Sequence, residues 1–275
     1  MTIRPLVMGV VNVTPDSFSD GGRLRDVQAA VAHGLALVAA GADMLDIGGE
    51  STRPGAEPVG EAEELARTIP VIRALRATSD IPLSIDTAKP AVARAAIEAR
   101  AGVWNDVTAL RGAPDSLETA AALGCGVVLM HMKGEPRTMQ AAPAYDDVVG
   151  EVTAFLAARA EAAMAAGVSR ERIWLDPGVG FGKGLAHNLA LLANLDRITA
   201  LGFPVLLGVS RKSFVRAIDP TAVQAGDRIG GSLAAALAGA QAGCAALRVH
   251  DVRETVQALA VWRAIGAAGG LASPA

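Results

Sequence analysis

Eight short apolar segments recur along the 275-residue chain, and each ends in a group of polar and glycine residues. The stretches between them have the periodicity of amphipathic helices. A strand and a helix repeated eight times is the pattern of a closed parallel barrel, so the sequence predicts an α/β fold, a (β/α)8 TIM barrel. The predicted strands are LVMGVVNV (6–13), MLDIGGE (44–50), IPLSIDT (81–87), VWNDVT (103–108), VVLMHM (127–132), IWLDPG (173–178), PVLLGVS (204–210) and ALRVHD (246–251).

The predicted helices alternate with these strands, at 26–40, 61–77, 90–100, 115–123, 145–166, 187–201, 228–242 and 253–267. Glycine takes the left-handed backbone conformation cheaply, which suits the tight turn from a helix to the next strand. The glycines predicted to end helices are Gly41, Gly102, Gly124, Gly167, Gly202 and Gly243. No linker divides the chain, so we expect one domain over 1–275, with a core at about 6–267 and a flexible tail at 268–275.

Composition excludes several classes of protein. Hydrophobic residues make up 51% of the chain and charged residues 19%, which indicates a large buried core. A net charge of −3 without a basic cluster argues against nucleic-acid binding. There is no apolar run of about 18 residues, so we expect no membrane span. The start MTIRPLVMGV does not resemble an export signal, and Cys125 and Cys244 lie in apolar segments, so we expect a cytoplasmic protein with reduced cysteines.

The active site of such a barrel lies in the loops that follow the strands. The first of these loops reads NVTPDSFSDGG, where the amide oxygen of Asn12 is a candidate ligand for Mg²⁺. Asp16 and Ser17 could add oxygen ligands or could equally cap a turn. Phe18 is one of five phenylalanines, and an aromatic side chain in this loop is typical of a lid over a ligand.

The second loop, GGESTRPGA, places Thr52 and Arg53 between glycine and proline residues. Backbone N–H groups, a hydroxyl and a guanidinium together can bind phosphate, although this motif alone is weak. Glu50 could be a solvated charge or could order Arg53.

Three carboxylates and an amide stand at later strand ends. Asp86 and Asp176 would converge on the barrel axis from different strands, and a buried acid there is costly unless it is paired or used. With Asn105 they match the donor-rich edge of a guanidine-like heterocycle. Asp106 fits a turn or a helix cap equally well.

The loops after the last three strands carry DPGVGFGK, SRKSF and RVHD. The glycines of the first should make its backbone thin and mobile, and it presents Phe181. Lys212 and Ser213 come from the second loop. Arg248 and His250 are two residues apart, so we expect them to share a face and to form a cationic pair. All four lysines of the chain follow predicted strands, at Lys89, Lys133, Lys183 and Lys212.

These motifs, together with LMHMKG, resemble those of the dihydropteroate synthase family in the same order over residues 8–251. The resemblance implies the substrates dihydropterin pyrophosphate and p-aminobenzoate, Mg²⁺ as cofactor, and a homodimer formed by late helices around 230–243. It implies Mg²⁺ binding by Asn12, pyrophosphate binding by Thr52, Arg53, Arg248 and His250, and pterin binding by Asp86, Asn105, Met130, Asp176 and Lys212. It implies that Phe18, Pro54, Phe181 and Ser213 frame the p-aminobenzoate site.

The reaction that the resemblance implies breaks the bond between a pterin CH₂ carbon and a pyrophosphate oxygen. Asp86 could stabilise the cation-like carbon electrostatically, while Arg248 and His250 stabilise the leaving anion. We expect the loops of Phe18 and Arg53 to close after the pterin substrate binds. Two alternatives stay open: a catalytically silent pterin-binding homologue, and a methyltetrahydrofolate methyltransferase, which has no use for a pyrophosphate clamp.

Overall fold

The computed structural model describes residues 4–13, 23–51, 56–134, 139 and 143–268. Eight strands form one parallel sheet in the order β6-β5-β4-β3-β2-β1-β8-β7. A single parallel bridge between Leu175 and Val205 joins the two ends of this order and closes the barrel. The strands are β1 Leu6–Asn12, β2 Met44–Gly48, β3 Leu83–Asp86, β4 Val103–Asp106, β5 Gly126–Met130, β6 Ile173–Asp176, β7 Leu206–Gly208 and β8 Ala246–Val249. The predicted (β/α)8 barrel is confirmed.

Helices follow every strand in the described part of the chain. They are α1 Arg23–Ala39, α2 Glu61–Thr78, α3 Pro90–Glu98, α4 Ser116–Leu123, α5 Val148–Ala165, α6 Leu185–Ala193, α7 Leu195–Thr199, α8 Ser213–Ile218, α9 Ile229–Gln241 and α10 Val252–Ala268. Apolar side chains on the outer faces of the strands pack against these helices, with Trp104, Leu45 and Leu175 fully buried. None of the helices described here is long and apolar enough to cross a membrane.

One helix prediction was wrong, and one short helix was not predicted. The single helix expected at 187–201 is divided at Asn194, whose backbone (φ −130°, ψ 34°) leaves the helical region. The Asn194 side chain donates to the Ala190 carbonyl at 2.8 Å and satisfies the end of the first piece. The six-residue helix α8 was not predicted, because a segment that short shows no full hydrophobic period.

Five of the six glycines predicted to end helices do adopt a positive φ, and Gly102 does not. After α3 the left-handed position belongs instead to Arg100, with φ 73°. The Arg100 amide donates to the Ile97 carbonyl at 2.9 Å, so the turn that ends α3 closes two residues before Gly102. The sequence identified the turn but placed its left-handed residue wrongly.

Strand register positions the polar residues at one end of the barrel. Gly48 lies beside Asp86 and Asp86 beside Asn105, while Met130 lies beside Asp176. Residues two apart on a strand share a face, so Asp46 points to the same side as Gly48. Parallel strands end together, and the barrel therefore gathers these side chains at its carboxyl-terminal mouth.

Candidate active site

Arg248, in β8, joins two carboxylates from other strands. Its Nη2 donates to Asp86 Oδ2 at 2.7 Å, and its Nε donates to Asp46 Oδ2 at 2.6 Å. The same Asp46 oxygen accepts a hydrogen bond of 3.0 Å from Asn105 Nδ2. Strands β2, β3, β4 and β8 each supply one member, and the pairing of β8 with β1 brings Arg248 to the other three.

Burial controls the charges in this network. Burial raises the pKa of Asp86 to about 7; Arg248 opposes this rise and Asp46 adds to it. Burial alone would lower the pKa of the Arg248 guanidinium, but the two carboxylates raise it by more. Near neutral pH, Asp86 therefore lies close to the midpoint of its titration, whereas Arg248 stays charged.

Asp176 and Lys212 form a second polar group at the ends of β6 and β7. Asp176 Oδ1 accepts from the Gly178 amide at 2.7 Å. Burial lowers the pKa of Lys212 to about 8, although Asp176 opposes the fall. At Gly208, an added Cβ atom would lie 3.8 Å from Lys212 Nζ, 3.9 Å from Asp176 Oδ2 and 4.0 Å from Arg248 Cβ. Because Gly208 has no side chain, it leaves a space that is bordered by Lys212, Asp176 and Arg248.

The loop after β6 interlocks with the loop after β5. Gly178 and Gly182 both have φ 64°. A Cβ atom at Gly178 would overlap the His131 carbonyl oxygen, and one at Gly182 would overlap the Lys133 carbonyl oxygen. The thin backbone expected from the glycines is confirmed, because only glycine allows this close approach.

Lys183 fastens the same loop from inside the protein. Its side chain is 2% exposed. The ammonium lies 2.9 Å from His131 Nδ1, 2.9 Å from the Gly178 carbonyl and 3.0 Å from the Phe181 carbonyl. Burial lowers the pKa of His131 to about 3, so the ring is neutral, and in the tautomer protonated on Nε2 its Nδ1 can accept from the ammonium. These contacts oppose the mobility that the glycines suggested in the sequence.

Phe181 and Lys212 form the boundary between the polar and apolar parts of the site. Lys212 Nζ lies 4.7 Å from the Phe181 ring centroid and donates to the Val179 carbonyl. Phe181 is half-buried against a cluster formed by Val107, Met130, Met132 and Met139. Ser213 is exposed as the first residue of α8, directly after Lys212. Met130 and Phe181 therefore provide an apolar surface beside Asp176.

His250 follows β8, two residues after Arg248, and contacts the loop that follows β7. Its Nδ1 lies 3.1 Å from Ser210 Oγ, which also accepts from the His250 amide at 3.2 Å. Arg211 has φ 59° and binds Asp251 through two hydrogen bonds of 3.0 and 2.6 Å. The loops after β7 and β8 are thus joined by contacts of Ser210 with His250 and of Arg211 with Asp251.

Asn12 ends β1 at the rim of this site. Its Oδ1 lies 3.9 Å from the position of a Cβ at Gly48, and Asp86 Oδ2 lies 3.7 Å from the same point. An uncharged amide oxygen beside a carboxylate suits Mg²⁺, which commonly takes one or two protein oxygens and completes its coordination with substrate phosphate and water. The donor chemistry at Asn12 therefore fits the ion.

Two ambiguous acids have structural contacts. Asp106 is buried and accepts from the Thr108 amide at 2.7 Å and the Leu110 amide at 2.9 Å, so it stabilises a turn. Burial raises the pKa of Asp106 to about 6. Glu50 accepts from Lys89 Nζ and is not simply a solvated charge. Its relation to Arg53 lies outside the described residues.

The positions of several predicted residues cannot be compared, because they lie outside the described ranges. These are Asp16, Ser17, Phe18, Thr52, Arg53 and Pro54. Conversely, sequence reasoning missed Asp46 and the role of Lys183. Asp46 is a charged residue inside the apolar run MLDIG, and that interruption was the available signal. Lys183 was noticed only as a lysine after a strand.

Comparison with known proteins shows similarity over nearly the whole barrel, including the strand ends that carry the site. A model of the family described as "Pterin binding enzyme" matches residues 8–250. The chain is 46% identical over 258 residues to the dihydropteroate synthase of Escherichia coli strain K12, covering 94% of this chain and 90% of that protein.

Two solved structures of Xanthomonas albilineans dihydropteroate synthase superimpose closely. The one with 4-aminobenzoic acid gives a TM-score of 0.90 at 55% identity and covers 96% of this chain and 94% of that one. The one in complex with 7,8-dihydropteroate gives a TM-score of 0.87 at 52% identity, with coverage of 97% and 95%.

Proposed function

The chain belongs to the dihydropteroate synthases of the pterin-binding enzyme family. From this membership we propose which of its residues bind each substrate and which stabilise the transition state. It is a transferase that joins 6-hydroxymethyl-7,8-dihydropterin pyrophosphate to p-aminobenzoate, giving 7,8-dihydropteroate and pyrophosphate. The observation that carries the proposal is the convergence of Asp86, Asp176, Lys212 and Arg248 at one barrel mouth, beside a space that Gly208 leaves open.

The pterin ring would lie between the polar groups and the apolar surface. Its 2-amino group and the neighbouring ring N–H can donate hydrogen bonds to the buried carboxylate of Asp176. Lys212 can donate a hydrogen bond to an acceptor atom of the ring. Asn105 adds an amide whose orientation is set by Asp46. Met130 and Phe181 would pack against the flat ring.

The reaction would proceed by dissociation of the CH₂–O bond. The bonding electrons leave with pyrophosphate, and the remaining carbon carries positive charge that is delocalised into the dihydropterin ring. The ionised Asp86 stabilises this charge electrostatically. The aniline nitrogen of p-aminobenzoate then attacks the carbon and loses a proton. Because aniline is already a nucleophile, the chain needs no strong base.

Arg248 and His250, with Thr52 and Arg53, would bind the pyrophosphate, and Asn12 would hold Mg²⁺. When bound, the ion neutralises charge on the leaving group. Pyrophosphate and Mg²⁺ should therefore bind together, and neither should bind tightly alone. Calorimetry with each and with both is the measurement, and tight binding of pyrophosphate without metal would contradict this part.

The test of the function is an assay of purified protein with both substrates and Mg²⁺, following 7,8-dihydropteroate by chromatography. The same assay addresses the silent-homologue alternative. Arg248 contacts Asp86, and Asp176 and Lys212 border the space beside Arg248, which supports an active enzyme. No product from folded protein would refute the proposal.

Substrate order follows from the same arrangement. The pterin substrate would bind first, and closure of the loops carrying Phe18 and Arg53 would then complete the p-aminobenzoate site with Pro54 and Ser213. Binding of p-aminobenzoate should therefore need pyrophosphate or the pterin substrate. Calorimetric binding of p-aminobenzoate to the empty enzyme at micromolar affinity would count against an ordered scheme.

A homodimer is the proposed assembly. Gly230, Ala234 and Ala238 form an exposed stripe of small residues on α9, which allows another helix to approach closely. On α6, which contacts α9, Leu185 and Leu189 are 37% and 41% exposed. Sedimentation at micromolar concentration should give a dimer, and a monomer alone would contradict this proposal.

The cytoplasm is the proposed location. Cys125 and Cys244 are both free and buried, as expected for a protein of a reducing compartment. Fractionation of the source cells would test the assignment, with recovery outside the cytoplasm as the contrary result.

A further inference from the structure

Asp46 lies beneath the site and touches two of its members without being one of the residues assigned above to substrate. Its side chain is fully buried, whereas the side chains of Asp86 and Arg248 are 11% and 22% exposed. A single oxygen, Oδ2, accepts from both Arg248 Nε and Asn105 Nδ2. One buried carboxylate therefore orients a guanidinium and an amide that face the proposed ligand.

The charged side chains of this network differ in how far they are exposed to solvent. With both acids ionised, Asp46, Asp86 and Arg248 together carry one negative charge. A fully buried carboxylate needs its cation more than a partly exposed one does, because an unpaired buried charge is costly. Asp46 therefore takes up part of the charge of Arg248, which also contacts Asp86, and the three groups together present a net negative charge at the mouth of the barrel.

We infer that Asp46 is a positioning residue that engages part of the charge of Arg248, so that Asp46, Asp86 and Arg248 together keep a net negative charge beside the reacting carbon, and that fixes the amide of Asn105. This inference rests on the proposed function. Without the Asp46 charge, the remaining pair of Arg248 and ionised Asp86 would have no net charge, and the developing cation would lose electrostatic stabilisation. Turnover would fall while the shape of the pterin site stayed the same.

The variant Asp46→Asn separates charge from shape. Its amide oxygen can still accept from Arg248 and Asn105, so the pterin KM should stay within about threefold of the parent value while kcat falls about tenfold, as expected for lost transition-state stabilisation. In an Asp86→Asn background the same change should have an effect of less than about twofold, because the two residues act through one charge.

Ser84→Ala is the matched control. Ser84 is buried beside Asp46 in the sheet register, and its hydroxyl has no hydrogen-bond partner within the described ranges. Its kcat and KM should equal those of the parent. A kcat for Asp46→Asn within about twofold of the parent, or an undiminished tenfold loss in the Asp86→Asn background, would overturn the inference.

A second measurement does not depend on turnover. In substrate-free protein, NMR should show that hydrogen exchange of Arg248 Nε–H quickens at least tenfold in Asp46→Ala and is unchanged in Ser84→Ala, since only the first loses the acceptor. Unchanged exchange in Asp46→Ala would refute the positioning role. A parent protein that makes no product but shows this difference would instead refute only the proposed function.

Discussion

Replacing Lys183 with methionine should remove a gain in stability that the parent protein shows as the pH rises above 7. Burial, aided by the nearby charge of Lys212, lowers the pKa of Lys183 from 10.5 to about 7 in the folded protein. Between those two values the unfolded chain binds the proton and the folded protein does not. The free energy of unfolding therefore increases with pH across this window.

The fall in pKa from 10.5 to about 7 corresponds to about 5 kcal/mol in total, at about 1.4 kcal/mol for each tenfold change. Since half of the folded molecules already lack the proton at pH 7, the rise between pH 7 and pH 9 should be about 2 kcal/mol. At pH 7 the variant should differ little from the parent. The substitution leaves several buried acceptors without a donor, and each such acceptor costs about 1–3 kcal/mol of stability. It also removes the cost of burying an ammonium group, which offsets this loss.

The assay is urea unfolding at pH 7, 8 and 9, followed by circular dichroism. Lys212 titrates in the same direction, with a folded pKa of about 8, but it is present in both proteins and its effect cancels in the comparison. Cys244, with a pKa raised to about 12, matters only above pH 9. Lys133→Met is the control, since Lys133 is 46% exposed. Equal pH slopes for Lys183→Met and the parent would refute the reasoning.

Three further predictions concern the site and its loop. Asp86→Asn should retain pterin binding and lose about a hundredfold in kcat. In the parent, kcat/KM should fall as the pH drops below about 7, because protonation removes the Asp86 charge, and a pH-independent parent profile would contradict this. Asp176→Asn should instead weaken pterin binding about tenfold in calorimetry, from the loss of a charged acceptor; unchanged affinity would exclude Asp176 as a pterin ligand. Gly182→Ala should destabilise the protein by more than about 2 kcal/mol in urea, because a left-handed side chain costs about 1–2 kcal/mol and its Cβ meets the Lys133 carbonyl. Gly184→Ala, whose Cβ has its nearest neighbour at 3.6 Å, should cost less than about 1 kcal/mol, and similar values for the two would show that the loops separate easily.

The same variants can be measured in related enzymes as well as in this protein. The matches cover 90% or more of both chains, so the barrel corresponds over most of its length. A variant at Asp46 or Lys183 can be examined in parallel in a homologous enzyme that has the same residue at the matching position. Agreement between the two would show that the charge arrangement belongs to the fold and not to one sequence.

The sequence by itself determined the barrel and most of the residues at its mouth. Hydrophobic periodicity is a local property, so the eight strands and their helices could be read directly from it. The rule that parallel strands end together then places Asp86, Asn105, Asp176 and Arg248 in one region. The family resemblance supplied their expected roles, and the structure confirmed that they converge.

Tertiary structure alone decided the pairing and the charge states. Asp46 and Arg248 are 202 residues apart, and the pairing of β8 with β1 brings their side chains to 2.6 Å. Asp86 has a pKa near 7 because packing removes water from it, and Asp106 proved to be a turn residue because its neighbours fold back onto it. The burial of a side chain and its hydrogen-bond partners depend on residues that are distant in sequence. A local sequence pattern therefore cannot predict them.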